Sequence, residues 1–378
     1  MAKTAKQSIR DIRPRRRRVS PFEQGQRDGM AAGWDHGYWF GQCEAVIQKT
    51  IRPVVPRDIH LMYVSSGKGH PYAPIDEAII ASLSAVVTHI TVTDALQDVA
   101  TLAKERRPDL VLVLDGLTLD PVHAQEMRAA GIRTAIWFTD DPYYTDVTAG
   151  IAQHYDHVFT LERNCVEFYQ QHGCQSVHYM PLGFFPQIFR PRNPDRGRRR
   201  DICFVGTAYW KRIEFFHQLT DYLGSKNSLI SGIWWDRLPS YAQLASKIEL
   251  DRWMGAPETA ETYNGAKIVI NMHRAHDDET FNNNSAGIMA ASLNPRTFEI
   301  AGCGTLQLTD VRSDMEQFFV PGEEIVTYST PQDFIEKSEY YLQNEGERRR
   351  IALNGLYRTM RDHTYERRLE SMLGALFG

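Results

Sequence analysis

From about residue 57 the sequence alternates between short apolar runs and stretches of helical length, and this alternation constrains the fold more than any other feature. Strands that alternate with helices at this spacing are typical of βαβ units, which build a mostly parallel sheet. Ligands of such sheets bind at the carboxyl ends of the strands. The residues that follow each run are therefore the candidates for function. The runs of the first half are His60–Ser65, Val86–Val92, Leu110–Leu114, Thr134–Phe138, His157–Thr160 and Ser176–Met180.

Two loops of the first half carry polar groups at predicted strand ends. In Ser65–His70, Gly67 and Lys68 belong to a small flexible loop that can bring backbone N–H groups near a phosphate or a sugar, or that is an ordinary turn with an exposed lysine. The loop is not a P-loop, because the pattern G-x-x-x-x-G-K-[ST] is absent. Asp140 and Asp141 follow the fourth run. They can hold an acceptor, and one of them can act as a general base on a sugar hydroxyl, or they can cap the following helix.

The second half begins with a predicted strand over Asp201–Gly206, followed by a turn and a helix. A strand, a glycine turn and a helix N-terminus form a natural anion site, which makes Gly206 a candidate for binding a diphosphate. Lys211 and Arg212 add positive charge at the same place.

A second strand is predicted over Ser228–Trp235, where Trp234 or Trp235 can stack a nucleotide base or belong to the core or the surface. Another buried strand, Lys267–Asn271, leads into a long polar loop. We expect Asn271, His273 and Arg274 to face donor phosphates or sugar, and Asn284, further along the loop, to bind sugar hydroxyls or to belong to a mobile connector. The histidines and aspartates of this loop match no familiar metal-ligand spacing, so we predict no metal site.

The stretch PRTFEIAGCGTLQLTD, residues 295–310, reads as a helix followed by a short strand. Asn294 is the expected N-cap, and Pro295 occupies the first helical position. Arg296 and Glu299 lie three residues apart and share one face of this helix. The carboxylate can accept hydrogen bonds from two ribose hydroxyls and the guanidinium can hold a phosphate, or the two form an exposed ion pair.

Composition excludes several classes of protein. The 378 residues suffice for two domains, and 42% apolar with 24% charged residues is typical of a soluble globular protein. A net charge of -4 gives no overall case for nucleic acid or membrane binding. Five cysteines without a CxxC pair fit a reducing compartment. Without a membrane-spanning apolar run or a signal-peptide core, we expect a cytoplasmic location.

The N-terminal segment has two parts. Residues 1–20 contain an arginine cluster, Arg13 and 15–18, that fits either a solvated arm or a contact with phosphate-rich polymers or an acidic partner. In residues 21–50, glycine recurs every four residues from Gly25 to Gly41, among aromatic residues. On a helix this spacing forms a stripe that allows close approach to the protein body or to another subunit of a homo-oligomer.

The stretch 295–304 resembles the C-terminal nucleotide motif of GT-B glycosyltransferases, in the version of the spore-maturation CgeB family. W-x-x-D-D-P at 137–142 and the Pro181–Gly183 crossover extend the resemblance. The resemblance implies that Glu299 binds the ribose of the donor and that a basic pair, here Lys211 and Arg212, neutralises the departing diphosphate. In such enzymes another glutamate normally lies eight residues before the position of Glu299, and this sequence has Ala291 there. The resemblance therefore predicts neither the contacts to the donor sugar nor the stereochemical outcome of the transfer.

We therefore predict an α/β protein of the GT-B fold, with two Rossmann-like domains that face an interdomain cleft. We expect it to transfer a sugar from a nucleotide-sugar to a glycan or protein acceptor of the spore or cell surface. A UDP-sugar is the first candidate for the donor. No cofactor or metal is expected. The alternatives are a sugar-nucleotide epimerase or hydrolase, and a non-catalytic coat-assembly module that binds nucleotide-sugars. The predicted segments are a flexible basic arm (1–20), a helical extension (21–56), an acceptor domain (57–195), a donor domain (196–360) and a terminal helix that crosses back to the first domain (361–378).

Overall fold

Two six-stranded parallel sheets carry the fold in the computed structural model, which describes residues 20–69 and 72–378. The arginine cluster of the predicted basic arm lies outside these residues. A long helix, α1 (Pro21–Thr50), precedes the sheets. Residues up to Gln42 and Cys43–Gly378 form separate compact units. The glycines of the predicted stripe lie in α1, and the role of this stripe stays a prediction.

The first sheet has the order β2-β1-β3-β4-β5-β6, and we call it with its helices the N-terminal lobe. The central strands β3 and β4 are buried on both faces, as expected of a parallel sheet covered by helices, whereas the edge strands β2 and β6 are partly exposed. In β3, for example, the three leucines pack on one face and the two valines on the other. The elements are β1 (Arg57–Val64), α2 (Ala73–Val86), β2 (Val87–Thr93), α3 (Val99–Arg106), β3 (Leu110–Leu114), α4 (Pro121–Ala129), β4 (Thr134–Phe138), α5 (Thr145–Ala152), β5 (His157–Thr160), α6 (Cys165–Gln171) and β6 (Val177–Tyr179).

The second sheet has the order β12-β11-β10-β7-β8-β9, and we call it with its helices the C-terminal lobe. The strand order reverses between β7 and β10, and this switch point is where such sheets bind nucleotides. The elements are β7 (Arg200–Val205), α7 (Trp210–Gln218), α8 (Thr220–Ser225), β8 (Ser228–Gly232), α9 (Tyr241–Leu244), β9 (Ile248–Leu250), α10 (Ala256–Gly265), β10 (Ala266–Asn271), α11 (Pro295–Gly302), β11 (Leu306–Asp310), α12 (Met315–Phe318), β12 (Val326–Tyr328), α13 (Pro331–Gln343), α14 (Glu345–Asp362) and α15 (Tyr365–Phe377).

Two chain crossings connect the lobes and run side by side. The Phe184 N–H donates to the His363 carbonyl at 3.1 Å, and the Tyr365 N–H donates to the Phe184 carbonyl at 3.2 Å. Gly183 is required at this point, because a Cβ there would lie 2.6 Å from the Tyr365 nitrogen. Helix α15 then packs against α2, so the end of the chain completes the core of the N-terminal lobe.

The sequence misplaces one strand end and misses two strands. The predicted strand Ser228–Trp235 stops at Gly232, because Trp234 adopts a left-handed conformation and Trp235 turns into the core. Strands β9 and β12 have three residues each, too few for an alternation pattern to be recognised.

Candidate functional site

A cleft separates the carboxyl edges of the two sheets, and two adjoining cavities occupy it. Cavity A has a volume of about 290 Å³ and cavity B about 280 Å³. Both lobes contribute walls, because Tyr72, Thr139 and Asp140 belong to the N-terminal lobe, whereas Thr207 and Arg296 belong to the C-terminal lobe. These five residues border both cavities, so the two spaces form one continuous site.

The floor of cavity A is bare backbone. Gly206 directly follows β7 and Gly232 ends β8, and a Cβ on Gly232 would lie 2.1 Å from the Gly206 carbonyl oxygen. The Trp235 indole N–H donates to that same oxygen at 2.9 Å and fixes the turn. Only glycine fits at Gly232, and the predicted Gly206 therefore lies on a floor that a ligand can approach closely.

Helix α11 presents Arg296 and Glu299 to cavity A. The Asn294 side chain accepts the Thr297 N–H at 3.0 Å, so the helix begins at the predicted cap. Within the described residues neither the Arg296 nor the Glu299 side chain has a hydrogen bond or an ion pair, so the alternative of an exposed Arg–Glu pair does not hold. Burial raises the pKa of Glu299 to about 7, and the nearby Arg296 charge opposes this rise.

Arg212 is a buried cation without a carboxylate partner in the described parts of the chain. It is 2% exposed, lines cavity B and donates to the carbonyls of Thr207 at 2.9 Å and Met272 at 2.5 Å. Its Nε has no acceptor among residues 20–69 and 72–378. Burial and the Arg296 charge lower the pKa of this guanidinium to about 10, so it stays protonated at neutral pH. A buried guanidinium of this kind favours an anionic ligand.

Lys211 lies apart from Arg212. Its ammonium is half exposed, lies 3.9 Å from Asp277 and does not line either cavity. The backbone N–H of Lys211 already donates to Asp278 at 2.8 Å, so a carboxylate of the chain itself occupies part of the helix N-terminus. Of the predicted basic pair, the structure brings only Arg212 into the cleft.

Four further predicted residues lie outside both cavities, namely Asn271, Asn284, Gly67 and Lys68. Asn271 bonds to Thr297 and Asn294 and thereby positions the start of α11. Asn284 closes its own loop by accepting the Ile288 N–H. Gly67 has a φ of 68° and lets the Ser65–Gly69 loop turn.

Lys68 organises the polar groups of the N-terminal lobe. Its Nζ lies 2.7 Å from Asp115 and 2.6 Å from Asp140, and the Tyr72 hydroxyl donates to the same Asp140 oxygen at 2.7 Å. Burial alone would lower the pKa of Lys68, but the two carboxylates outweigh burial and raise it. This ammonium is therefore charged, and it holds Asp140 at the border of both cavities.

The adjacent Asp141 has the opposite environment. It is 2% exposed, and its two carboxylate oxygens accept hydrogen bonds from Thr160 at 2.6 Å and Tyr169 at 2.8 Å. Burial raises the pKa of Asp141 to about 7. Asp141 also lines cavity B. Because both of its oxygens already accept hydrogen bonds from Thr160 and Tyr169, the geometry favours a structural role for Asp141 and leaves Asp140 as the carboxylate available to a ligand.

The far wall of cavity B is formed by four side chains: His273, Arg274, Arg312 and Tyr143. His273 pairs with Asp310, and Arg312 lies 3.2 Å from the other oxygen of that aspartate. Arg274 stacks over the Tyr143 ring at 4.1 Å, while the Tyr143 hydroxyl donates to the Arg274 carbonyl at 2.8 Å. The loop after β10 is thus tied to the N-terminal lobe.

Glu162 makes a second tie between the lobes. Its Oε2 accepts the N–H groups of Ala291 and Ser292, each at 3.0 Å. Ala291 lies where the resembled motif has its other glutamate. Its backbone is therefore held by a carboxylate of the N-terminal lobe.

The chain is similar in sequence to known proteins. A family model described as glycosyl transferase-like matches residues 211–374. The chain is 27% identical to the spore protein CgeB of Bacillus subtilis (strain 168) over 308 residues, which are 81% of this chain and 95% of CgeB.

Solved structures show the same fold at low identity. The sucrose-phosphate synthase of Thermosynechococcus elongatus superposes with a TM-score of 0.59 at 11% identity, covering 84% of this chain and 98% of that one. Anabaena HepE, solved in complex with UDP and glucose, gives a TM-score of 0.58 at 10% identity, covering 84% and 99%. The chain is a GT-B-fold relative of CgeB. The predicted family resemblance and fold class are both confirmed.

Several residues of this GT-B cleft escaped the sequence analysis. Trp253, rather than the suggested Trp234 or Trp235, lines both cavities, and Trp235 belongs to the core. Asp310 ends the stretch 295–310 without being predicted as a site residue, and Tyr72 follows no motif, yet both contact predicted site residues. Their positions at the end of β11 and just before α2 were the available signal, since ligands of parallel sheets gather at strand ends.

No group of three or more His, Cys, Asp or Glu in residues 20–69 and 72–378 is arranged to hold a metal ion. In the same residues, no helix combines the length and the apolar character that crossing a bilayer demands.

Proposed function

We propose that the chain is a glycosyltransferase that moves a sugar from a UDP-sugar to an acceptor bound by the N-terminal lobe. The observation that carries this proposal is the meeting, in one interlobe cleft, of the unpaired Glu299 carboxylate, the unpaired Arg296 guanidinium and the buried Arg212. The glycosyl transferase-like family match and the UDP complex of HepE support the same donor class.

The donor fits the C-terminal lobe. In the proposal, Glu299 accepts hydrogen bonds from the two ribose hydroxyls, because a carboxylate has acceptors only and no donors. Arg296 and Arg212 bind the diphosphate above the Gly206–Gly232 floor, and Trp253 offers a stacking surface for the base. As the bond to the sugar breaks, charge develops on the diphosphate and these fixed cations stabilise it, so we propose that the reaction requires no metal.

The acceptor fits the opposite wall. Asp140 accepts from Lys68 and Tyr72 through one oxygen, Oδ2, and its other oxygen has no partner in the described residues. We propose that this free oxygen orients an acceptor hydroxyl or takes its proton. Since CgeB is a spore protein, a glycan or protein of the spore surface, modified in the cytoplasm, is the acceptor class to test first.

A binding panel tests the donor half of the proposal. UDP, ADP, GDP and their glucose esters are titrated against the protein in a thermal-shift assay, where a ligand at one hundred times its Kd adds about 2.7 kcal/mol of stability. UDP and UDP-glucose should shift the melting temperature of the wild type, and Glu299→Ala should remove the shift. An exposed glutamate of α7 supplies the matched control, Glu214→Ala, which should keep it. A full shift in Glu299→Ala would refute the donor assignment.

Turnover separates the proposal from its alternatives. A transferase releases UDP only with an acceptor, for which we suggest extracts of spore or cell surfaces. Conversion or hydrolysis of the donor without acceptor would instead identify an epimerase or hydrolase. Tight binding with no turnover under either condition would identify a non-catalytic module. Steeply salt-dependent binding to nucleic acid, lost on deleting residues 1–20, would assign the arginine cluster a separate role.

A further inference from the structure

His273 and Asp310 meet at the carboxyl edge of the second sheet because their strands are neighbours. Strands β10 and β11 pair in register, with Asn271 opposite Thr309. The residues just past this pair therefore lie side by side. His273 lines cavity B, and it is 4% exposed.

The contacts fix the orientation of the imidazole. Asp310 Oδ1 accepts from the backbone N–H of His273 at 2.9 Å and lies 2.6 Å from Nδ1. Arg312 lies 3.2 Å from the second oxygen of the same aspartate. An ionised carboxylate can only accept hydrogen bonds, so the ring proton resides on Nδ1 and the lone pair of the neutral ring resides on Nε2.

The charges around the ring keep it neutral. Burial lowers the pKa of His273; Asp310 opposes this effect, whereas Arg312 and Arg212 add to it. Burial alone would raise the pKa of Asp310, but the hydrogen bonds from His273 and the charge of Arg312 outweigh burial and lower the pKa of that carboxyl. The pair is therefore a neutral imidazole on a carboxylate, with an acceptor at its far end.

That acceptor is unsatisfied. His273 Nε2 is buried and has no hydrogen-bond partner among residues 20–69 and 72–378. Leaving a buried polar atom without a partner is costly, and the cost falls away when a ligand donates to it. A neutral lone pair repels phosphate oxygens, which Arg212 and Arg296 attract, so the matching ligand group is a hydroxyl next to a phosphate.

We infer that His273 Nε2 accepts a hydrogen bond from a hydroxyl of the donor sugar and that Asp310 is the positioning residue that holds the imidazole in the required tautomer. This inference rests on the proposed function, because it places the sugar of the donor in cavity B. It makes His273 a determinant of sugar recognition in a chain that has alanine at position 291.

Binding measurements isolate the contribution of the sugar. Calorimetry gives the Kd of UDP and of its glucose, galactose, N-acetylglucosamine and N-acetylgalactosamine esters for the wild type and for His273→Phe. At least one ester should bind the wild type more tightly than UDP does. The Kd of UDP divided by the Kd of that ester should fall about 3- to 10-fold in His273→Phe, as expected for the loss of one net hydrogen bond. The Kd of UDP itself should change less than about 2-fold. His276→Phe, three residues along and outside both cavities, is the control and should change neither value.

The outcomes distinguish the two proposals. If UDP binds but the ratio is unchanged in His273→Phe, the inference is overturned and the proposed donor class stays intact. The same conclusion follows if UDP binds and no ester binds the wild type more tightly than UDP does. Absence of binding by UDP and all four esters overturns both.

A measurement on the free protein guards against misfolding of the variant. Nitrogen-15 NMR of histidine-labelled wild type, assigned with His273→Gln, should show a neutral ring protonated on Nδ1 at pH 7. Asp310→Asn should shift the ring proton of His273 from Nδ1 toward Nε2. A protonated Nε2 donates instead of accepting, so the Kd of UDP divided by the Kd of the ester should fall in this variant as well. A ring protonated on Nε2 or on both nitrogens in the wild type would overturn the inference.

Discussion

Replacing Glu299 by glutamine should stabilise the free protein while weakening its binding to UDP. Burial in the cleft raises the pKa of Glu299 from 4.5 to about 7. At about 1.4 kcal/mol per pKa unit, keeping this side chain ionised costs the folded protein up to about 3 kcal/mol. Because the side chain is only partly buried, we expect glutamine to recover about 1–3 kcal/mol.

The sign of the effect follows from proton linkage. Between pH 4.5 and about 7, folded wild type holds the proton of Glu299 more tightly than unfolded protein does, so its stability falls as the pH rises. Glutamine does not titrate. The stability difference between Glu299→Gln and the wild type should therefore be near zero below pH 4.5, grow through neutral pH and level off above pH 7.

Urea unfolding of the ligand-free proteins at several pH values between 5 and 8.5 measures this difference. Exposed Glu214→Gln is the control and should follow the wild type at every pH. The same Glu299→Gln protein should bind UDP about 10- to 100-fold more weakly, since a hydrogen bond to a charged group contributes about 1.5–3 kcal/mol. A variant that is less stable than the wild type at pH 8, or a difference that does not change with pH, would refute the reasoning.

Three further variants probe the acceptor side, the phosphate contacts and the chain crossing. Asp140→Asn should lower the transfer rate by about 10²–10⁴ with an unchanged Kd for UDP, and an unchanged rate would remove Asp140 from catalysis. Arg296→Ala should weaken UDP binding about 10- to 100-fold without loss of stability in urea, because the side chain has no hydrogen bond or ion pair within the described residues; equal UDP affinity would exclude it from the phosphate site. Gly183→Ala should lose about 1–3 kcal/mol in urea unfolding, since its Cβ would lie 2.6 Å from the Tyr365 nitrogen. Gly346→Ala, whose Cβ would meet no atom within 4 Å, should lose nothing, and equal stability of the two alanine variants would contradict the crowding at Gly183.

The fold could be predicted from the sequence because its signals are local. Runs such as Leu110–Leu114 are apolar at every position, as a strand buried on both faces requires, and the structure buries all five residues. The start of α11 could be predicted in the same way, because the N-cap Asn294 and the first helical residue Pro295 are adjacent in the chain. Short strands such as β9 fall below the length at which a pattern shows.

The candidate site was only partly predictable, because its members come together through packing. Asp140 and Asp141 are neighbours in sequence with the same chemistry, and both line cavity B. Asp140 nevertheless has a carboxylate oxygen without a partner in the described residues, whereas Thr160 and Tyr169 donate to both oxygens of Asp141. Lys211 and Arg212 diverge in the same way, because successive side chains of a helix point in directions about 100° apart.

The sequence by itself thus determined two parallel sheets and the strand ends at which polar residues gather, since hydrophobic periodicity and capping act over a few residues. Only the tertiary structure decided which side chains have partners. The pairing of His273 with Asp310 joins residues 37 positions apart. The raised pKa of Glu299 likewise depends on the surfaces that remove water from it. Burial and long-range pairing set the charge and the free hydrogen-bonding capacity of a group, and neither can be read from the residues beside it in the chain.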